Sequence, residues 1–230
     1  MTERDDYDKY IRGNWARFVA DPTRARALLD AVSGMEISRV LDVGCGAGQQ
    51  LLPFVTDMGA RGFGLDPARD VGIAARQLFD AHAPGARVAF VRGSAEQLPF
   101  SSGNFDLVIC RLVLPYTDNV QTLSEIARVL KRGGALLLKI LHPRFYLRQL
   151  GQGFAARDLV TIVYSVRVLY AGALYRLTGR QPTGRLTAAR EVFQTEGMLR
   201  RELERQGLAI KGELPDSDAV TPSFLIIKER

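Results

Sequence analysis

Three glycines and two acids in the first third of the chain carry the clearest chemical signal. The run Val40-Leu41-Asp42-Val43-Gly44-Cys45-Gly46-Ala47-Gly48 places glycines at 44, 46 and 48, directly after a short apolar segment. Glycines so spaced permit a tight strand-to-helix turn and let a ligand approach the backbone closely. A dinucleotide-binding turn puts its third glycine three positions after the second, which suits pyrophosphate at a helix N-terminus. Here the third glycine follows after two, and an acid, Asp42, sits inside the strand. A carboxylate in that place is poorly suited to pyrophosphate and well suited to a cationic amine. Asp66 ends a second apolar segment, 24 positions after Asp42. It can accept hydrogen bonds from both hydroxyls of a ribose; as a purely structural residue it would cap a helix opening at Pro67.

Two further segments have the composition of ligand-facing loops. Gly93-Ser94-Ala95-Glu96-Gln97-Leu98-Pro99-Phe100, after the third apolar run, is a polar stretch able to edge a planar ring, and Arg111 with Leu114-Pro115-Tyr116 follows the fourth. His142 follows another such run and is a candidate general base, with a structural histidine as the alternative. The Tyr116 hydroxyl could orient an acceptor; its alternative is packing. His82, before Pro84, reads as a surface or helix-capping residue. Cys45 and Cys110 are the only cysteines and belong to no CxxC or Cys/His cluster, so neither a zinc site nor a disulfide framework is expected. Cys110 reads as strand core and Cys45 as a small residue in the turn.

The elements that must position these groups alternate along the chain. Asp21-Pro22 opens a helix over 23–32, and strands are expected at 39–43, 62–66, 87–92, 105–110 and 135–141. Helices are expected at 49–58, 67–83 and 119–130, the last with Val120, Leu123, Ile126, Ala127 and Leu130 on one side. A helix over 191–206 and strands at 208–213 and 223–228 complete the pattern. Continuous apolar strands separated by helices predict a doubly wound α/β domain, a mostly parallel seven-stranded sheet covered on both faces. With 47% hydrophobic and 24% charged residues over 230 positions, the chain excludes a disordered or low-complexity protein and fits one domain, residues 1–230.

Residues 144–190 interrupt the alternation as an insertion after the fifth strand, on the edge where parallel sheets bind ligands. Within it, 159–175 is apolar except for Arg167, too short and too charged at its middle for a membrane span. We expect this helical insertion to act as a lid over an apolar acceptor, with Tyr164, Tyr170 and Tyr175 as polar tips; ordinary packing or a homodimer contact is the alternative. Residues 1–34 would form an N-terminal helical cap, with Tyr7, Tyr10 and Trp15 as a second flap. Between His142 and Leu214, twelve basic residues stand against six acids, which accounts for the whole net charge of +6. Such a face fits nucleic acid, peripheral contact with anionic lipid, an acidic substrate or a plain solvated surface. The N-terminus lacks the basic-then-apolar pattern of a secretory signal, so a cytoplasmic protein is expected.

Taken in order and spacing, VLDVGCGAG, GLDP, GSAEQLPF, FDLVICRLVL and ARVLKRGGALLLK resemble the class I S-adenosylmethionine-dependent methyltransferases, most nearly the small-molecule branch that includes quinone-biosynthesis enzymes. The resemblance covers residues 35–142 and implies S-adenosylmethionine as cofactor. It implies that Gly44, Cys45, Gly46 and Gly48 bring backbone against the methionine half while Asp42 balances the amine. Asp66 would hold the ribose, Pro67 one face of adenine, and Ser94, Ala95 and Glu96 the ring edge; Arg111 would border the methionine moiety through its backbone. The family often has an acid where Ser94 stands and a histidine near Tyr116, and this chain departs at both. The expected function is methyl transfer to a small hydrophobic or aromatic acceptor. An RNA methyltransferase is the alternative drawn from the basic segment, although Leu114-Pro115-Tyr116 lacks the Pro-Pro-aromatic run of base-methylating enzymes; a non-catalytic S-adenosylmethionine-binding protein is the other. The glycine spacing disfavours an NAD-dependent oxidoreductase.

Overall fold

Period-two burial organises the sheet of the computed structural model, which describes residues 3–68, 70–182, 184 and 191–229, with the backbone alone for 3–8 and 10. Strands β1 (Arg39–Val43), β2 (Arg61–Asp66), β3 (Val88–Arg92), β4 (Phe105–Arg111), β5 (Leu130–Lys139), β6 (Leu208–Glu213) and β7 (Ser223–Lys228) line up in the order β3-β2-β1-β4-β5-β7-β6. The first five are parallel, whereas β7 runs antiparallel to both β5 and β6. Because successive side chains point to opposite faces, Val40, Leu107 and Ile109 enter one core and Leu41, Val108 and Cys110 the other. Helices α1 (Glu3–Val19), α2 (Pro22–Ala31), α3 (Leu52–Thr56) and α4 (Val71–His82) cover the first face. Helices α5 (Asn119–Val129) and α8 (Glu196–Arg205) cover the second. The chain reverses direction in the sheet between β1 and β4, which opens a crevice at their C-terminal ends.

Several boundaries differ from the sequence expectation. The helix foreseen from Pro67 begins at Val71, because the Asp66 carboxylate accepts the Ala68 N–H at 3.0 Å and holds the chain in a turn. Residues 49–58 split into a 3₁₀ turn (Gln49–Leu51) and the short α3. On α5, Val120 is exposed while Asn119 and Thr122 are buried, so the packed side is rotated from the apolar pattern. Strand β5 starts immediately after α5 and takes Lys131-Arg132-Gly133-Gly134 into the sheet through a register shift opposite β4. The last helix starts at Glu196, capped by the Thr195 hydroxyl, and Glu191–Gln194 run extended and buried instead.

The insertion after β5 is a pair of packed helices, α6 (Pro143–Ala156) and α7 (Leu159–Thr178). Their two-residue link works because Arg157 adopts a left-handed backbone and Asp158 accepts from the N–H groups of Val160 and Thr161. Tyr146, Val168, Ala171 and Tyr175 form a third core with Val192 and Phe193. Helix α7 is therefore not buried all round, as its composition suggests; one side packs and the other is exposed. No helix among the described residues is long and apolar enough to cross a membrane.

Candidate active site

The crevice holds a cleft of about 560 Å³. Its floor is the Gly44-Cys45-Gly46 turn and Asp66, one wall is Arg111-Leu112-Val113 after β4, and Asn14, Phe18 and Leu28 from α1 and α2 close the top. The turn is built from both sides. The Leu65 carbonyl accepts the N–H groups of Gly44 at 2.7 Å and Cys45 at 3.0 Å, pinning the turn to β2. Gly44 has φ +69°, and a Cβ there would lie 2.3 Å from Val113 Cγ2. At Gly48, with φ +74°, a Cβ would lie 2.8 Å from the Phe90 ring. Side chains are thus excluded by backbone conformation and by neighbours together.

The two acids behave differently. Asp42 shares the β1 face of Val40, so its carboxylate sits within the apolar core at 2% exposure. Its Oδ2 is buried without a hydrogen-bond partner. Burial, with a smaller push from Asp66 and an opposing pull from Arg111, raises its carboxyl pKa to about 8. Asp66 instead accepts the Gly46 N–H at 3.1 Å through Oδ2 and the Ala68 N–H at 3.0 Å through Oδ1. Each of its oxygens keeps a second lone pair for a hydroxyl donor.

Residues 41–138 match the Methyltransf_11 family, described as a methyltransferase domain. A ubiquinone biosynthesis O-methyltransferase of Rhizobium rhizogenes is 35% identical over 136 residues, 58% of this chain and 50% of that protein. A malonyl-[acyl-carrier protein] O-methyltransferase of Enterobacter lignolyticus is 31% identical over 118 residues, 51% of this chain and 44% of that one. The same fold recurs in a methyltransferase solved in complex with the Haloferax volcanii Trm112 methyltransferase activator, with a TM-score of 0.62 at 18% identity over 97% of this chain and 98% of that one. Residues 41–138, under half of the chain, are thus those of a methyltransferase domain. The chain spans half or less of the length of these curated relatives. S-adenosylmethionine is the cofactor of such domains, and the residues present fit it. The partnerless Asp42 oxygen suits an ammonium group, although Asp42, like Gly48, lines neither cavity; the free lone pairs of Asp66 suit ribose hydroxyls, and Gly46, where a Cβ would meet nothing within 4 Å, leaves backbone open to a ligand.

Other residues expected on the cofactor are placed less simply. A second cavity of about 200 Å³ lies beyond Asp66 between Phe90 and Ile73, and neither cavity is lined by Pro67, Ser94, Ala95 or Glu96. Ser94 Oγ hydrogen-bonds to Glu96, whose other oxygen accepts the Asp118 N–H at 3.1 Å, so this loop is tied to the start of α5. Arg111 reaches the cleft with its side chain as well as its backbone. Its guanidinium pairs with Asp216, which also accepts from Lys139 Nζ at 3.1 Å. The two cations hold the Asp216 carboxyl below its ordinary pKa despite burial. Asp216 and Lys139 are cleft residues that sequence reading missed: a Pro-Asp-Ser-Asp turn between two strands signals only a hairpin. Leu112 is likewise unforeseen, a non-glycine residue at φ +61° on the cleft wall. Such strain persists where surrounding structure enforces it.

The acceptor-side candidates do not converge as expected. His142 caps α6, its Nδ1 accepting the Arg144 N–H at 3.3 Å, and it does not line the cleft. Burial and Arg144 both lower its pKa. Tyr116 is 58% exposed and also lies off the cleft. Tyr164, Tyr170 and Tyr175 do not share a side: Tyr164 and Tyr175, eleven residues apart, lie on the packed side of α7, where Tyr164 hydrogen-bonds to Glu191 and Tyr175 is buried, whereas Tyr170 is exposed on the other. Three residues on one helix share a target only at three- and four-residue steps. Trp15 is no flap; it is buried on Phe79 and His82, with ring centroids 5.1 and 5.3 Å away. The side chains of Tyr7 and Tyr10 lie outside the described residues. Cys110 is strand core as expected, its thiol pushed up to about 12 by burial, and Cys45 is shifted upward for the same reason.

Glu191 emerges in their place. The sequence offers it only as the first residue of an expected helix, yet it is buried and accepts hydrogen bonds from Tyr146 Oη at 2.9 Å and from Tyr164. The Val192 N–H donates to the Pro115 carbonyl at 3.2 Å, which sets this carboxylate over the turn that follows β4. Burial raises its pKa, and the two phenols oppose that rise.

Proposed function

We propose that the protein transfers a methyl group from S-adenosylmethionine to a small hydrophobic or aromatic acceptor. The observation carrying this reading is Asp66 beside the Gly44-Cys45-Gly46 turn in the cleft that Arg111 and Val113 border, with a partnerless Asp42 oxygen buried on β1 just before that turn. S-adenosylmethionine, when bound, supplies a methyl on a sulfonium that leaves as a neutral thioether. The chain's own work is then placement: Asp42 and Asp66 fix the donor, while Phe18, Leu28 and Val113 form the apolar part of a lining that is otherwise largely polar. Fixing two reactants in line can supply roughly 7–11 kcal/mol of the barrier. The small acceptor is supported by the resemblance to relatives named for quinone biosynthesis and for malonyl-carrier-protein methylation.

A base is needed only if the acceptor must lose a proton. Glu191, held by two phenols beside the turn after β4, is a further candidate for that role, although like His142 and Tyr116 it does not line the cleft. Incubation of the protein with methyl-labelled S-adenosylmethionine and a metabolite extract, followed by mass spectrometry, should label a small apolar compound. Label found only in RNA, or nowhere despite tight cofactor binding, would overturn the reading. With that compound in hand, Glu191→Gln should lower kcat by about 10²–10⁴-fold for a hydroxyl acceptor and leave cofactor affinity unchanged.

A further inference from the structure

The outer side of α7 carries an unbroken apolar stripe. Leu159, Val163, Val166, Tyr170, Ala173 and Leu177 recur at alternating steps of four and three, and all six are exposed. At about 100° per residue they fall within a band about 80° wide. Leu159 and Leu177, at 73% and 82% exposure, mark its two ends. On α6, Leu147 and Phe154 repeat the seven-residue step and are exposed as well. A soluble domain rarely leaves large apolar side chains in so ordered a row on its surface.

Charge identifies the occupant. Residues 143–180 contain six arginines, Arg144, Arg148, Arg157, Arg167, Arg176 and Arg180, against one acid, Asp158. That acid is engaged as the α7 cap. Exposed Arg176 lies about 100° to one side of the stripe on the helical wheel and half-buried Arg167 about 80° to the other. An apolar band between cations matches a surface that is greasy below and anionic above, the geometry of an interfacial helix. A second copy of this hairpin would fit the apolar band but would bring arginine against arginine. Nucleic acid would satisfy the arginines and leave the stripe wet.

We propose that the α6–α7 hairpin docks on an anionic lipid surface, with the α7 stripe at the headgroup–acyl boundary and the arginines on lipid phosphates. The docking needs no turnover, so it stands or falls separately from the methyl-transfer reading. The test is co-sedimentation of the full chain with vesicles of phosphatidylcholine alone or mixed with phosphatidylglycerol. Binding should be at least tenfold tighter to the mixed vesicles and should weaken with salt. The variant Leu159→Ser/Val163→Ser/Val166→Ser/Leu177→Ser should lose binding at least tenfold at unchanged cofactor affinity. Should that variant fold poorly, Arg148→Gln/Arg157→Gln/Arg176→Gln should still weaken binding by about 10², near fivefold per arginine. Equal binding by wild type and both variants would overturn the proposal. So would full competition by soluble glycerol phosphate, which would make the arginines a small-anion site. A wild-type dimer that ignores vesicles and is dissolved by the serine substitutions would overturn it in favour of a second copy.

Discussion

With Asp42 against the cofactor's ammonium, as proposed, binding becomes a proton-linked event whose size follows from the surroundings of that carboxyl. The Asp42 carboxyl is buried in apolar core and titrates at about 8, so at pH 7 it is mostly neutral in the free protein. An ammonium placed against the partnerless oxygen favours the carboxylate, and binding should therefore expel a proton, about 0.9 per site at pH 7. Below pH 8 each pH unit costs about 1.4 kcal/mol, or tenfold in affinity. An α-amino group itself titrates at about 8, so the gain stops there. Between pH 6 and pH 8 the affinity for S-adenosylmethionine should thus rise on the order of 30-fold. Titration calorimetry in buffers of differing ionisation enthalpy measures the expelled proton directly. Asp42→Asn should bind more weakly, release no proton and show a flat profile across that range. A wild-type proton count of zero, or the same pH slope in the asparagine variant, would refute the reasoning. The same shift has a stability consequence without ligand. The folded chain keeps this proton up to about pH 8, whereas the unfolded chain releases it near 3.8. The apoprotein should therefore lose stability as pH rises through that window, by at most about 6 kcal/mol, and Asp42→Asn should remove the loss in pH-dependent urea melts.

Gly44→Ala adds a methyl 2.3 Å from Val113 Cγ2 at φ +69°; it should destabilise by about 2–4 kcal/mol and cripple cofactor binding, with Val113→Ala restoring part of the stability in a double-mutant cycle. Asp216→Ala strands Arg111 and Lys139, each with a side chain only 13% exposed, and should cost about 2–3 kcal/mol in denaturant midpoint. Because those cations lower the Asp216 pKa, the wild-type protein should lose the same contribution as pH falls below the ordinary carboxylate value near 3.8. Gly172→Ala puts a methyl 2.3 Å from the Phe193 ring; despite the better helix propensity of alanine, thermal melts should show a net loss of about 1–3 kcal/mol, relieved by Phe193→Leu.

The strand–turn framework of the proposed cofactor site was legible because it is local. Asp42, Gly44, Gly46, Gly48 and Asp66 lie on two consecutive strand–turn units, and strand alternation together with the glycine spacing fixes where they point. The parallel part of the sheet was equally legible, since buried parallel strands announce themselves as apolar runs between helices. Helix starts were less so. Asp66 diverted its hydrogen bonds to the turn, and the backbone of 191–194 was captured by Pro115 and Leu141 across the fold. What tertiary structure alone decided are the contacts that join distant segments. Asp216 meets Arg111 and Lys139 because β7 runs back along β5, and Glu191 meets Tyr146 and Tyr164 because the chain returns over the end of β4. The sides of α7 were sorted the same way, Tyr175 into the core and Tyr170 out. An apolar helix carries no mark of which side a neighbour will cover until that neighbour is in place.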